Sequence, residues 1–82
     1  PRVFASSAAL TVLLNGTVQE FTVSTPGAAA GDAVVVSSLL GASVSVLSWC
    51  ARAVPNNCIV RFNTANTGGS DFRTWYFKAI RT

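Results

Sequence analysis

Pro26-Gly27-Ala28-Ala29-Ala30-Gly31-Asp32-Ala33-Val34-Val35-Val36-Ser37-Ser38 is the stretch from which the fold can be read. Pro-Gly favours a type II turn, because proline presets φ and glycine accepts a positive one. Three alanines are too few to hold a helix, and Gly31-Asp32 turns the chain again. The β-branched run Ala33-Val34-Val35-Val36 then reads as a buried strand. The segment is therefore a crossover between two β layers, with one hairpin before it and a second hairpin plus a closing strand after it. The expected fold is all-β: a small single-domain β-sandwich over residues 1–82, mostly antiparallel, with about six to eight strands.

Upstream of the crossover, Val3, Ala5, Ala8, Leu10, Val12 and Leu14 alternate loosely and lead into Asn15-Gly16. Asn-Gly between alternating apolar residues is a strong signal for a type I′ hairpin. A two-residue turn sets Leu13 opposite Val18, Val12 opposite Gln19 and Leu10 opposite Phe21. Leu10, Val12, Phe21 and Val23 then face the core, and Ala9, Thr11, Glu20 and Thr22 face solvent. Leu13 and Val18 are apolar on that polar face, which makes them one candidate contact pair.

Downstream, residues 37–41 read as a loop and Val44 to Val54 as a long strand, returned by Pro55-Asn56-Asn57 into Cys58-Ile59-Val60-Arg61-Phe62. Two registers compete. A two-residue turn at Asn56-Asn57 puts Leu47, Trp49, Ala51 and Ala53 on one face with Val60 and Phe62, sets Cys50 opposite Asn63, and sets Arg52 opposite Arg61, both pointing outward. A three-residue turn carries Arg52 into the core. Opposed like charges cost about 0.2–1 kcal/mol, whereas an unpaired buried arginine costs several times that, so the first register is favoured. Residues 63–71 form a polar stretch with a Gly68-Gly69 hinge, expected as the most mobile loop. On the last strand, Phe72 to Arg81, alternation separates Trp75, Phe77 and Ala79 from Tyr76, Lys78 and Ile80. Tyr76 and Ile80 are the second candidate contact pair, since aromatic residues are enriched in contact patches. The expected core is Leu10, Val12, Phe21, Val34, Val36, Trp49, Val60, Phe62, Trp75 and Phe77.

Half of the 82 residues are hydrophobic and 11% are charged, against roughly a quarter or more on an ordinary soluble surface. Part of this surface is therefore expected to be covered by a partner. The net charge of +3 is uneven: Arg52, Arg61, Arg73, Lys78 and Arg81 crowd the last third against Asp71 alone. They form no basic run and accompany no nucleic-acid motif, so nucleic acid is an unlikely partner and outward positions on strands account for them. With no histidine in the chain, Ser-His-Asp and Cys-His arrangements are impossible. Glu20, Asp32 and Asp71 are too dispersed to suggest a carboxylate pair, and Asp32 beside Gly31 fits an Asx turn. No enzyme, metal or cofactor is expected. Cys50 and Cys58 read as free, mostly buried thiols. No apolar run approaches the roughly 20 residues of a membrane helix, so no membrane partner is expected. Pro1 is what removal of an initiator methionine would leave.

Pro26-Gly27-Ala28-Ala29-Ala30-Gly31-Asp32-Ala33-Val34-Val35-Val36 resembles the PGAAxGDxVxV signature of small β domains in tailed-bacteriophage structural proteins. Such domains continue with a hairpin similar to Asn57-Cys58-Ile59-Val60-Arg61-Phe62-Asn63 and close on a strand similar to Thr74-Trp75-Tyr76-Phe77. The resemblance covers about residues 17–80 and departs at the Asn/Gly-rich stretch 64–71 and at Tyr76, where a charged residue is frequent. It implies a virion component made in the host cytoplasm. A chain consisting of this domain alone fits a capsid decoration or cement protein, binding itself as a homo-oligomer, with a trimer expected, and binding a viral capsid or tail protein. The alternative is a tail-fibre or baseplate module that binds a host glycan or another tail protein. A nucleic-acid-binding barrel is the third reading, with Tyr76 as its one stacking candidate.

Overall fold

The computed structural model describes residues 1–38 and 45–82. Of the loop expected over residues 37–41, Ser37 and Ser38 instead end a strand, paired with Tyr76 and Trp75, and the rest, like the expected strand start at Val44, lies outside the described residues. Six strands are described: β1 (Arg2–Asn15), β2 (Val18–Ser24), β3 (Ala33–Ser38), β4 (Val46–Val54), β5 (Asn57–Thr64) and β6 (Asn66–Arg81). They form two antiparallel sheets, ordered β1-β6-β3 and β2-β5-β4. The two sheets pack together as a small all-β sandwich around a shared apolar core.

The Asn15-Gly16 hairpin does not form. β1 has fourteen residues and β2 seven, so pairing the two would leave half of β1 without ladder partners. The sixteen-residue β6 takes β1 instead, from Arg2↔Arg81 through Leu13↔Ser70, and β2 pairs with β5. The chain turns a corner between the sheets at Asn15-Gly16, where Asn15 Oδ1 accepts hydrogen bonds from the Thr17 amide (3.2 Å) and hydroxyl (2.6 Å). Across the corner, the Gln19 side chain replaces a missing strand. Its Oε1 accepts from Leu13 N at 2.8 Å, and its Nε2 donates to Leu13 O at 2.6 Å.

Residues 63–71 are not a loop. β5 and β6 are separated by Ala65 alone, whose amide donates to Ser45 O at 2.8 Å. Gly68 and Gly69 have φ of 81° and 77°. They lie where the β1–β6 register passes from Asn15↔Asn66 to Leu13↔Ser70. Two consecutive positive-φ glycines let β6 bulge and then resume pairing, which few other residues permit.

In the second hairpin the turn residues are Pro55 and Asn56, with Val54 opposite Asn57. Asn56 has φ of 60°, and proline followed by a positive-φ residue is type II turn chemistry. This register differs from both expected ones, yet its faces match the favoured one: Ala51 and Ala53 stand over Val60 and Cys58. Arg52 lies opposite Ile59 rather than Arg61, and Arg61 lies between Cys50 and Glu20, so the like-charge opposition does not arise. A bulge between Val46 and Ser48 buries Val46 and turns Leu47 outward.

The core contains Leu10, Val12, Val60, Phe62, Trp75 and Phe77 as expected, with Leu14, Val23, Ala28, Val46, Cys58 and Ala79 beside them. Phe21, Val34 and Val36 are half-buried against it. Trp49 is the exception. It sits on β4, an outer strand of its sheet, and keeps 39% of its surface exposed while meeting Trp75 edge-on at 5.0 Å between ring centroids.

Candidate interaction surfaces

The PGAAAGD segment joins β2 of one sheet to β3 of the other, as the crossover reading requires. Ala28 N donates to Thr25 O (3.1 Å) across Pro26-Gly27, and Asp32 N donates to Ala29 O (3.1 Å) across Ala30-Gly31. Asp32 Oδ2 accepts from Ala29 N at 3.0 Å, a bond to nearby backbone that runs three residues back instead of the forward contact of an Asx turn. Asn56 ties this segment to the second hairpin: its backbone O accepts from Thr25 N, its Oδ1 from Gly27 N, and its own N donates to Ala28 O. Arg81, at the end of β6, closes the corner with a two-pronged contact on Asp32 at 3.0 Å for each prong, and donates to Gly27 O. The Phe4 ring lies between the Arg2 and Arg81 guanidiniums, each 5.0 Å from its centroid. Gly27, Ala28, Ala29 and Asp32 of the signature thus each take part in the framework that joins the two sheets.

The Arg81 contact and the Ala29 amide hold the Asp32 carboxyl below its ordinary value of 3.8. A carboxyl lowered on folding gives stability that is present above its unfolded value and lost as pH falls through the folded one. Asp32→Asn should therefore flatten the loss of stability on acidification below about pH 4. Urea midpoints at pH 7 and in the acid range check this, and an unchanged acid slope would contradict it.

The basic last third is largely neutralised. Arg61 pairs with Glu20 at 2.6 Å, Arg73 with Asp71 at 2.6 Å and Arg81 with Asp32 at 3.0 Å. Arg2, Arg52 and Lys78 form no ion pair among the described residues, and they lie on different strands. No continuous cationic track results.

What remains is apolar surface on the two outward faces. On the β1-β6-β3 sheet the outward row of β6 runs through Ser70, Phe72, Thr74, Tyr76, Lys78 and Ile80. Phe72 is 70% exposed and Tyr76 43%, and Val3, Leu13 and Val35 on the flanking strands are about half exposed. Ile80 is half-buried between Val3 and Ala33. On the β2-β5-β4 sheet, Val18 and Leu47 are each 59% exposed. Val18, Ser48, Trp49, Cys50, Arg61 and Asn63 line an open depression there, of about 430 Å³.

The expected contact residues are thus redistributed. Leu13, Tyr76 and Ile80 share one outward face, while Val18 belongs to the opposite one, because β1 and β2 lie in different sheets. Phe72, Val3, Val35 and Leu47 were missed. The alternation that turns Tyr76 outward also turns Phe72 outward, and the one that buries Val34 and Val36 exposes Val35, so both were legible. Leu47 was not, because a bulge exposes it.

Cys50 is exposed on the outward side of β4, contrary to expectation, and Cys58 is buried. Their ladder partners are Arg61 and Ala53, so they are three residues apart along the sheet, roughly 10 Å, and point to opposite sides. A disulfide cannot span that. Thiol labelling should report one group in native protein and two after unfolding without reductant; a count of zero after unfolding would contradict the register. No protein-family model matches the chain, and neither does any curated protein or solved structure.

Proposed function

We propose that the chain is a structural accessory protein of a tailed-phage virion, a capsid decoration or cement protein that stabilises the assembled head by non-covalent binding. The observation that carries this reading is exposed large apolar side chains on both outward faces of a charge-poor chain, with Phe72 and Tyr76 on one and Val18 and Leu47 on the other. Monomers rarely expose contiguous apolar patches larger than a few hundred Å². Exposed apolar side chains on both sheets suit a protein with neighbours on both sides, itself on one and a capsid subunit on the other. The resemblance of the PGAAAGD segment to phage structural domains supplies the setting.

The mechanism asks for no bond to be made or broken. A chain that binds the assembled shell and not its separated subunits stabilises the shell by RT ln(1 + [L]/Kd), about 2.7 kcal/mol when free chain stands at 100 times Kd. A framework tied at the Asn56 corner keeps both faces in place before binding, which lowers the ordering cost of association. Co-sedimentation with undecorated heads of the phage that carries this sequence tests the reading. Wild-type chain should pellet with the heads and raise their melting temperature, and Val18→Lys with Leu47→Lys should weaken both effects. Wild-type chain left wholly in the supernatant would overturn it.

A further inference from the structure

Lys78 is the one charged residue among the outward positions of the β1-β6-β3 face, and small residues surround its aromatic pair. Ser7 and Ala9 lie opposite Tyr76 and Thr74 on β1, and Ser37 lies opposite Tyr76 on β3. We infer that this face is covered by a second copy of the chain, related by a twofold axis that lies in the interface and crosses the strands at Thr74. This pairing supplies the self-association that the docking reading requires, and it rests on that reading.

Three features point to a second copy in this arrangement. The first is area. The molecule is 40 Å long, and three strands span about 10–14 Å, so the projected face is roughly 400–560 Å². Side-chain relief raises the accessible area above its projection, toward the roughly 600–800 Å² per partner of a stable interface of ordinary size. The second is charge. An axis along the strands would stack Lys78 on Lys78. An axis across them at Thr74 sets Lys78 against Ser70 and keeps the two ammonium groups eight residues apart, roughly 26 Å, well beyond the ~8–10 Å screening length at ordinary salt.

The third feature is shape. Reversal about Thr74 exchanges positions 72 and 76, so the 70%-exposed Phe72 of each copy meets Tyr76 of the other. Leu13, which lies opposite Ser70, meets Ala5, which lies opposite Lys78. At the axis, Ala9 and Thr74 are small enough for the sheets to approach closely. Large residues thus fall on aromatic or small ones in a self-complementary pattern, as a twofold interface requires.

Sedimentation of the purified chain at micromolar concentration should give twice the 8.5 kDa chain mass. Phe72→Lys and Tyr76→Glu should each give a monomer when alone. A mixture of these two variants should form a mixed dimer, since Lys at 72 then meets Glu at 76 while the second contact keeps its native aromatic pair. Val18→Lys, on the opposite face, should leave the dimer intact. If Phe72→Lys loses its β-sheet circular dichroism, Thr74→Lys at the axis gives the same readout. A wild-type monomer or trimer, a dimeric Phe72→Lys, or a mixture that stays monomeric would overturn the pairing. A monomer that still pellets with heads overturns the pairing alone, whereas a dimer that pellets with none leaves the pairing standing and removes the virion reading.

Discussion

Trp75→Ala is expected to cost about 3–5 kcal/mol and to leave the domain close to unfolding at room temperature. Trp75 is fully buried on the inward side of β6. Its ring lies 4.9 Å from that of Phe62 and 5.0 Å from that of Trp49, so it bridges the two sheets from the middle of the sandwich. Aromatic pairs of this kind contribute about 0.5–1.5 kcal/mol each beyond the area they bury. A chain of 82 residues has roughly 4–12 kcal/mol of stability in all, so one such loss removes a large share. Trp75→Phe should cost less, because it keeps a ring and removes an indole N–H that has no hydrogen-bond partner among the described residues. Urea unfolding followed by circular dichroism checks both, and a Trp75→Ala midpoint equal to wild type would contradict the inward placement of Trp75.

Gly27→Ala should be nearly as damaging, at about 2–4 kcal/mol, from a source that has nothing to do with cavity formation. Gly27 has φ of 93°, where a side chain is strained. A Cβ there would collide with Cδ1 and Cε1 of Phe4. Phe4 cannot easily give way, because it is held between Arg2 and Arg81 and packs against the core. The clash also falls on the residue whose amide donates to Asn56 Oδ1 and whose carbonyl accepts from Arg81. Gly31→Ala is the control: its φ is also 93°, but no atom of the described residues lies within 4 Å of the added Cβ, so it carries the backbone strain alone. Equal melting temperatures for the two variants would show that the Phe4 contact contributes nothing.

Which side of a strand a residue occupies could be read from the sequence, because alternation depends only on the residues themselves. Leu10, Val12, Phe21, Val23, Val60, Phe62, Trp75 and Phe77 all turn inward as expected. Which strands pair could be read only at the second hairpin, where β4 and β5 are joined by a short turn; elsewhere pairing depends on lengths and partners far apart in the chain. Asn15-Gly16 is a turn, yet β6 outcompetes β2 for β1 by offering twice the length. Gly68-Gly69 carries a breaker signal as strong as any loop, and only pairing on both sides of it makes it a bulge. Asp32 was legible as a turn residue; its partner Arg81, 49 residues away, was not.

The same limits apply to the surfaces. Tyr76, Ile80, Leu13 and Val18 were all recognisable as outward and apolar, but their grouping follows from sheet membership, which separates Val18 from the other three. Trp49 reads as core by phase and lies at the rim because β4 has a neighbour on one side only.

The proposed decoration role is tested most directly by quantitative mass spectrometry of purified tailed-phage particles whose genome encodes this sequence. The chain should be present in hundreds of copies per particle, in fixed ratio to the major capsid subunit. A handful of copies would place it in the tail, and its absence from washed particles would contradict a structural role in the virion.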